Sequence, residues 1–158
     1  MKTSLKRAGL ACALGAGALI GGFLILPDGS GPTPSLAQVG TVTFPELEKL
    51  IHYTTVRRGV TREHMLTNQT ALDAIQTEQG VPTGTHVVLV DYQNDVLTRY
   101  LIAEKTGAGA QDWAYQAFNP DQSLREDDES PARCYSCHQS RQDRQFMFTF
   151  SDALSFQN

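Results

Sequence analysis

Three strands are predicted in the central segment from Thr85 to Phe118, which reads THVVLVDYQNDVLTRYLIAEKTGAGAQDWAYQAF. Residues 86–90 are rich in valine, as is typical of a strand, and a turn at residues 93–95 separates them from a second strand over residues 96–103. A glycine-containing loop leads to the third strand, residues 113–118, which ends before an Asn-Pro pair. Because short connections join antiparallel neighbours, the segment predicts an antiparallel sheet.

Helices are predicted before this sheet. Thr43 can cap a helix with Glu46 three residues later, and the apolar residues 47, 50 and 51 then fall on one helical face, which predicts a helix to about Thr54. A second helix is predicted from Asn68 to Gln79, ending at Gly80. Near the chain's end, alternating phenylalanines over residues 146–150 predict a half-buried strand. The predicted fold class is therefore α+β, a mainly antiparallel β-sheet with flanking helices.

The first 37 of the 158 residues have the order of a secretory signal peptide. A basic start at residues 2–7 precedes an apolar run over residues 8–26, and Ser35-Leu36-Ala37 offers small residues for cleavage. An uncleaved membrane anchor is the alternative, because 19 apolar residues can just cross a bilayer. Either way, residues 38–158 are expected to form one exported domain, in the periplasm or anchored facing it.

The exported domain is acidic. Residues 38–158 hold 10 Lys and Arg against 16 Asp and Glu, a net charge of −6, where the whole chain carries −4. Such a domain is a poor candidate for binding nucleic acid or anionic lipid, whose phosphates attract positive charge.

The sequence that carries chemistry is Cys134-Tyr135-Ser136-Cys137-His138, a C-x-x-C-H motif. Two thiols three positions apart on a helical turn can add to the two vinyl groups of one porphyrin, and the adjacent imidazole can meet the iron. The motif therefore predicts one covalent haem c, held by Cys134 and Cys137 with His138 as the axial iron ligand. A redox-active disulfide and a zinc site are the alternatives. The zinc site would need further ligands from the histidines at positions 52, 64 and 86.

The sixth iron ligand separates two functions. Met65 or Met147, or one of the three remaining histidines, would give a low-spin electron-transfer cytochrome with a redox partner protein. Met147 is more simply explained as a core residue among the phenylalanines. An open sixth position would favour a small gaseous ligand such as nitric oxide or carbon monoxide.

The chain resembles the cytochrome P-460 family, which includes the cytochromes c′-beta, over most of residues 45–150. Four pieces in order carry the resemblance: the Gly84-Thr85 pair that opens a strand, the WAYQAF segment followed by Pro120-Asp121, the late C-x-x-C-H motif, and the trailing Met147-Phe148-Thr149. The resemblance implies an antiparallel sheet with helices, often in a homodimer. It also implies a haem on His138 with an open or weakly occupied distal site.

One branch of that family oxidises hydroxylamine with a lysine cross-linked to the haem, five positions after the glycine of the Gly-Thr pair. In this chain the position is Leu89, and the exported domain has only Lys49 and Lys105. The chain is therefore closer to the cytochrome c′-beta branch, in which an apolar distal pocket binds nitric oxide or carbon monoxide. Nitrogen-oxide or hydroxylamine oxidoreductase activity stays open as an alternative. Leu89, Phe118 and Arg62 are the predicted distal-pocket residues.

Overall fold

The computed structural model describes residues 42–126 and 130–157, so the predicted leader, residues 1–37, lies outside the described residues. A single five-stranded antiparallel sheet has the order β1-β2-β3-β4-β5, in which each strand pairs with its neighbour in sequence. The strands are β1 (Ile51–Arg58), β2 (Thr61–Thr67), β3 (His86–Gln93), β4 (Val96–Lys105) and β5 (Trp113–Phe118). The helices are α1 (Gln69–Gln76), α2 (Pro131–His138) and α3 (Phe150–Ser155), with 3-10 turns at Leu47–Lys49 and Gln139–Arg144. The fold is α+β and mainly sheet, as predicted.

The predicted central strands are confirmed as β3, β4 and β5, although β4 extends to Lys105. Asn94 and Asp95 form the β3–β4 turn with φ of 49° and 63°, the left-handed backbone that a two-residue hairpin turn requires. The helix predicted after Asn68 is α1, and the Asn68 side chain caps it by accepting a hydrogen bond from the Ala71 N–H at 2.8 Å. Glu78, with φ of 58°, turns the chain out of this helix before Gly80.

The helix predicted from Thr43 to Thr54 is wrong. Only Leu47–Lys49 is helical, as a 3-10 turn, and β1 begins at Ile51. Ile51, the adjacent Thr54 and Thr55, and Val56 are β-branched, and β1 pairs with β2 along most of its length. The helical spacing of the apolar residues was therefore overridden by sheet pairing with a strand that the local pattern does not reveal.

The strand predicted over residues 146–150 is also wrong. Gln145 and Phe146 have φ of 52° and 64°, so the chain makes a left-handed turn that no strand accommodates. The residues that follow are a turn, and Phe150 starts α3. Met147 is buried in the core, as its apolar surroundings predict.

The sheet has two faces that carry separate cores. Across the strands, Met65, Leu89 and Leu101 pair in one row, on the face that we call the front. The next row, one residue along each strand, is His64, Val90, Tyr100 and Phe118, on the face that we call the back. The front packs against α1, α3 and the C-terminal segment, whereas residues 42–50 cover part of the back. Within the described residues, no helix is long and apolar enough to cross a membrane.

Candidate functional site

Helix α2 presents the C-x-x-C-H motif to the front of the sheet. Ser130 caps the helix by accepting a hydrogen bond from the Arg133 N–H at 3.3 Å, and Pro131 occupies the first turn, where its missing N–H costs nothing. Cys134 and Cys137 therefore lie one turn apart on a regular helix, with neither thiol in a disulfide. His138 is the last residue of the helix, immediately beside the second thiol.

The His138 ring is oriented by a backbone carbonyl. Its Nδ1 lies 2.6 Å from the Phe146 carbonyl oxygen, so Nδ1–H donates and the lone pair remains on Nε2, the nitrogen free to ligate a metal. Burial lowers the pKa of His138, and the hydrogen bond to Phe146 partly opposes that effect. The rings of Tyr115 and Phe148 lie with their centroids 4.7 and 5.0 Å from the imidazole. The ring is therefore held neutral and in one tautomer.

Gln145 fixes the turn that supplies this carbonyl. Its side-chain Oε1 accepts a hydrogen bond from the Val81 N–H at 2.8 Å, and its Nε2 donates to the Gln79 carbonyl at 3.3 Å. The two left-handed residues, Gln145 and Phe146, are thus tied to the segment that follows α1. A non-glycine residue in this conformation carries strain, which the surrounding contacts must offset.

A cavity of about 450 Å³ lies between the front of the sheet, α2 and the C-terminal segment, and a second of about 340 Å³ adjoins it along α2. Both volumes fall in the range of small-molecule and cofactor sites, roughly 300–1,000 Å³. Seven residues line both cavities: Met65, Leu89, Leu101, Ala103, Tyr115, Cys137 and His138. The motif and the apolar front row therefore face one continuous space.

One side of the larger cavity is polar, which the sequence did not predict. Arg58 binds the Glu63 carboxylate through both oxygens, at 2.6 and 2.5 Å, and both residues line the cavity. Arg99 also lines it and donates to the buried Asp91 at 3.0 Å. Because each arginine has a carboxylate partner, this side adds hydrogen-bonding groups to the cavity while keeping it close to neutral. The pairing of β1 with β2 brings Arg58 and Glu63 together. The sequence did not predict these two strands and therefore did not predict this ion pair.

The three predicted distal residues divide between the faces. Leu89 lines both cavities. Phe118 lines neither cavity, because it lies in the back row and packs against Phe44, with ring centroids 5.2 Å apart. Arg62 also lines neither cavity. Its guanidinium lies 4.6 Å from the centre of the Tyr92 ring and 3.2 Å from the Asp95 carboxylate.

The methionines and histidines considered as further metal ligands lie in different places. Met65 and Met147 both line the larger cavity. The three remaining histidines do not: His52 and His64 line a different cavity on the back of the sheet, and His86 lies beside Thr43 and Glu104. No cluster of three or more His, Cys, Asp and Glu side chains occurs in residues 42–126 and 130–157, which leaves the zinc alternative without a ligand set there.

Two residues that line the larger cavity each carry a buried hydrogen-bond donor with no partner among the described residues. Trp113 and Tyr115 are 3% and 5% exposed, and the indole Nε1 and the phenol hydroxyl are both unpaired. Burial strongly raises the pKa of Tyr115, so its hydroxyl remains a donor at neutral pH. Both donor atoms are themselves buried, so they face neighbouring protein atoms and not the open space of the cavity.

The comparison with protein families matches this arrangement. The family model for Cytochrome P460 matches residues 48–149, a span that includes all five strands and the C-x-x-C-H motif. The chain belongs to the cytochrome P460 family. No curated protein matches the chain closely enough to be a recognised relative. Membership indicates a haem-binding cytochrome, as the motif predicts.

The described residues of this cytochrome P460 family member fit a haem. The thiols of α2, the neutral Nε2 of His138 and the apolar front row face the same space. The volume, the two thiols and the imidazole tautomer thus agree on one type of cofactor.

Proposed function

We propose that this protein is an exported c-type cytochrome with a single haem, bound through thioethers to Cys134 and Cys137 and ligated by His138. The observation that carries the proposal is the His138 Nδ1–H bond to the Phe146 carbonyl, because it leaves Nε2 as a neutral lone pair beside the two thiols. The His138 ring and the Cys137 thiol also line the same cavity, which supports a role in binding a cofactor over a purely structural role for this histidine.

We propose further that the bound ligand is a small gas, nitric oxide or carbon monoxide. Haem iron would supply the coordination position, and the chain supplies the walls. Met65, Leu89 and Leu101 give an apolar surface that fits diatomic ligands needing no hydrogen-bond donor. The Arg58–Glu63 pair places ionised groups on another wall without a net charge, so it does not favour an anion.

The branch of the family is part of the proposal. The cross-linking position is Leu89, whose side chain has no amine. Lys105 is 1% exposed and its ammonium donates to the carbonyls of Gly107 and Gly109, whereas Lys49 pairs with Glu46 on the surface. Neither lysine lines the two front cavities. This supports the cytochrome c′-beta branch over hydroxylamine oxidation.

Met65 supports a second candidate function, electron transfer. It is 8% exposed and lines both cavities beside Leu89, so its thioether could serve as a sixth ligand. The partner would then be a redox protein and not a gas.

The experiment that separates the two functions is the absorption spectrum of the reduced protein with and without carbon monoxide. Gas binding predicts a broad visible band that changes on addition of carbon monoxide, and a Met65→Leu variant with the same reduced spectrum. Electron transfer predicts sharp split bands that carbon monoxide leaves unchanged, and a Met65→Leu variant that loses them. A Met147→Leu variant tests the other methionine that lines the larger cavity in the same way, and the variant that loses the split bands identifies the ligand.

The setting of the protein also belongs to the proposal. The leader supports export to the periplasm, whether it is cleaved near Ala37 or retained as an anchor. The resemblance supports a homodimer. The intact mass of the purified protein reports cleavage, and sedimentation velocity reports the dimer; an uncleaved soluble chain or a monomer at micromolar concentration would contradict these two points.

A further inference from the structure

Three polar side chains meet on the back of the sheet, away from the haem cavity. His52 and Thr55 lie on β1, and His64 lies opposite Thr55 on β2. Residues three apart on a regular strand point to opposite faces, but β1 has a bulge between His52 and Thr54. The extra residue, Tyr53, restores His52 to the same face as Thr55. The bulge therefore builds the cluster.

The three polar atoms form a nearly equilateral triangle. Thr55 Oγ1 lies 2.8 Å from His52 Nε2 and 2.9 Å from His64 Nδ1, and the two nitrogens are 3.1 Å apart. Each ring nitrogen carries either one proton or one lone pair, so no protonation state gives three separate linear hydrogen bonds. Two hydrogen bonds, one donated and one accepted by the Thr55 hydroxyl, satisfy the three atoms, and the 3.1 Å contact between the two nitrogens needs no hydrogen bond of its own.

These three distances match the distances between neighbouring ligand atoms around a bound metal ion. With metal–nitrogen distances of about 2.0 Å, neighbouring ligands lie about 2.8 Å apart in a square plane and about 3.3 Å apart in a tetrahedron. We propose that His52 Nε2 and His64 Nδ1, with Thr55 Oγ1, form a binding site for a divalent transition metal, with Cu(II) preferred. Imidazole suits copper, and the Irving–Williams order places Cu(II) highest among divalent first-row ions.

Water would complete the shell, and the surroundings provide space for it. His52 and His64 line a cavity of about 370 Å³ that is open to solvent, together with Leu47, Leu66, Val90, Tyr92 and Tyr100. A site with two or three protein ligands and open positions exchanges its metal more readily than a closed four-ligand site.

The local charge restricts which metals bind. Two arginines, Arg57 and Arg62, are close enough to His64 to act electrostatically on its ring. The same arginines repel cations. An ion held mainly by charge, such as Ca²⁺ or Mg²⁺, is therefore disfavoured, whereas an ion with strong affinity for imidazole can bind.

The test is titration of the haem-loaded protein with Cu(II), followed by calorimetry and by electron paramagnetic resonance. We expect one equivalent to bind with nitrogen hyperfine splitting from two imidazoles, and Mg²⁺ not to compete. His52→Ala and His64→Gln should each weaken binding at least tenfold, and Thr55→Val should weaken it less. His86→Ala is the matched control, because His86 lies on β3 outside the triangle, and it should bind as the wild type does.

His64→Gln keeps the size and polarity of the strand residue, and an unchanged haem spectrum and unfolding midpoint would verify its fold. Two strands each contribute a histidine, so the two variants test the same site independently. Unchanged Cu(II) affinity in both folded variants would overturn the proposal. An equal loss in His86→Ala would also overturn it, because the binding would then not belong to the triangle.

Discussion

Replacing Gln145 should destabilise the protein through the turn that orients His138. In Gln145→Ala the Val81 N–H loses the Gln145 Oε1 acceptor, and Val81 is 4% exposed. An unsatisfied buried donor costs roughly 1–3 kcal/mol. The second bond, to the Gln79 carbonyl, is long at 3.3 Å and exposed, so it adds little. We expect a loss of about 2 kcal/mol in the free energy of unfolding, or roughly 8 °C in the unfolding midpoint of a domain this size.

Gln145→Gly separates the hydrogen bond from the backbone strain. Glycine loses the same bond to Val81 but adopts the left-handed conformation without the cost of about 1 kcal/mol that other residues carry. The glycine variant should therefore be about 1 kcal/mol more stable than the alanine variant, and still less stable than the wild type.

The assay is denaturant unfolding of the haem-loaded protein, followed by circular dichroism. Gln122 is the matched control, because it is an exposed glutamine with a left-handed φ of 67°. Gln122→Ala should change the free energy of unfolding by less than about 0.5 kcal/mol. If Gln145→Ala and Gln122→Ala lower the free energy of unfolding by the same amount, the hydrogen bond between Gln145 and Val81 does not stabilise the turn. Our account of how His138 is oriented would then lose its support.

Further predictions concern the two faces of the sheet, one histidine and one lysine. Leu89→Phe should lower carbon monoxide affinity several-fold by filling the cavity, whereas Arg62→Ala on the back should leave that affinity unchanged. If the two variants change the affinity equally in a flash-photolysis titration, the assignment of the two residues to opposite faces is contradicted. Because the folded-state pKa of His64 is lowered, the unfolded chain binds more protons just below pH 6.5, so stability should fall as pH falls through that value. His64→Gln should flatten that pH dependence of the unfolding midpoint, and an unchanged slope would refute it. Lys105→Met should cost roughly 1–3 kcal/mol, because the partly buried carbonyls of Gly107 and Gly109 lose their donor, and an unfolding midpoint equal to the wild type would refute that role.

The parts of the fold that the sequence predicts are those with local signals. Strand β3 is rich in valine, α1 has an asparagine cap, and the β3–β4 turn has the Asn-Asp pair that tolerates a left-handed backbone. Each of these depends on residues within a few positions of one another. The C-x-x-C-H motif is also local, and the structure puts it on a capped helix.

The parts that the sequence does not predict depend on contacts between distant residues. β1 has helical spacing in its apolar residues, and only its pairing with β2 makes it a strand. The sequence alone also does not show that Phe118 and Arg62 lie on the back of the sheet, because the face of a strand residue is known only once its register is known. The left-handed turn at Gln145 and Phe146 has no glycine to signal it, and side-chain bonds to the distant residues 79 and 81 hold it.

The most direct test of the central claim is the intact mass of the protein under denaturing conditions, after expression in a host that attaches haem c. Our account predicts the mass of the chain plus one haem, and the loss of that addition in a Cys134→Ser, Cys137→Ser double variant. A coloured preparation whose denatured chain has the mass of the polypeptide alone would contradict covalent attachment.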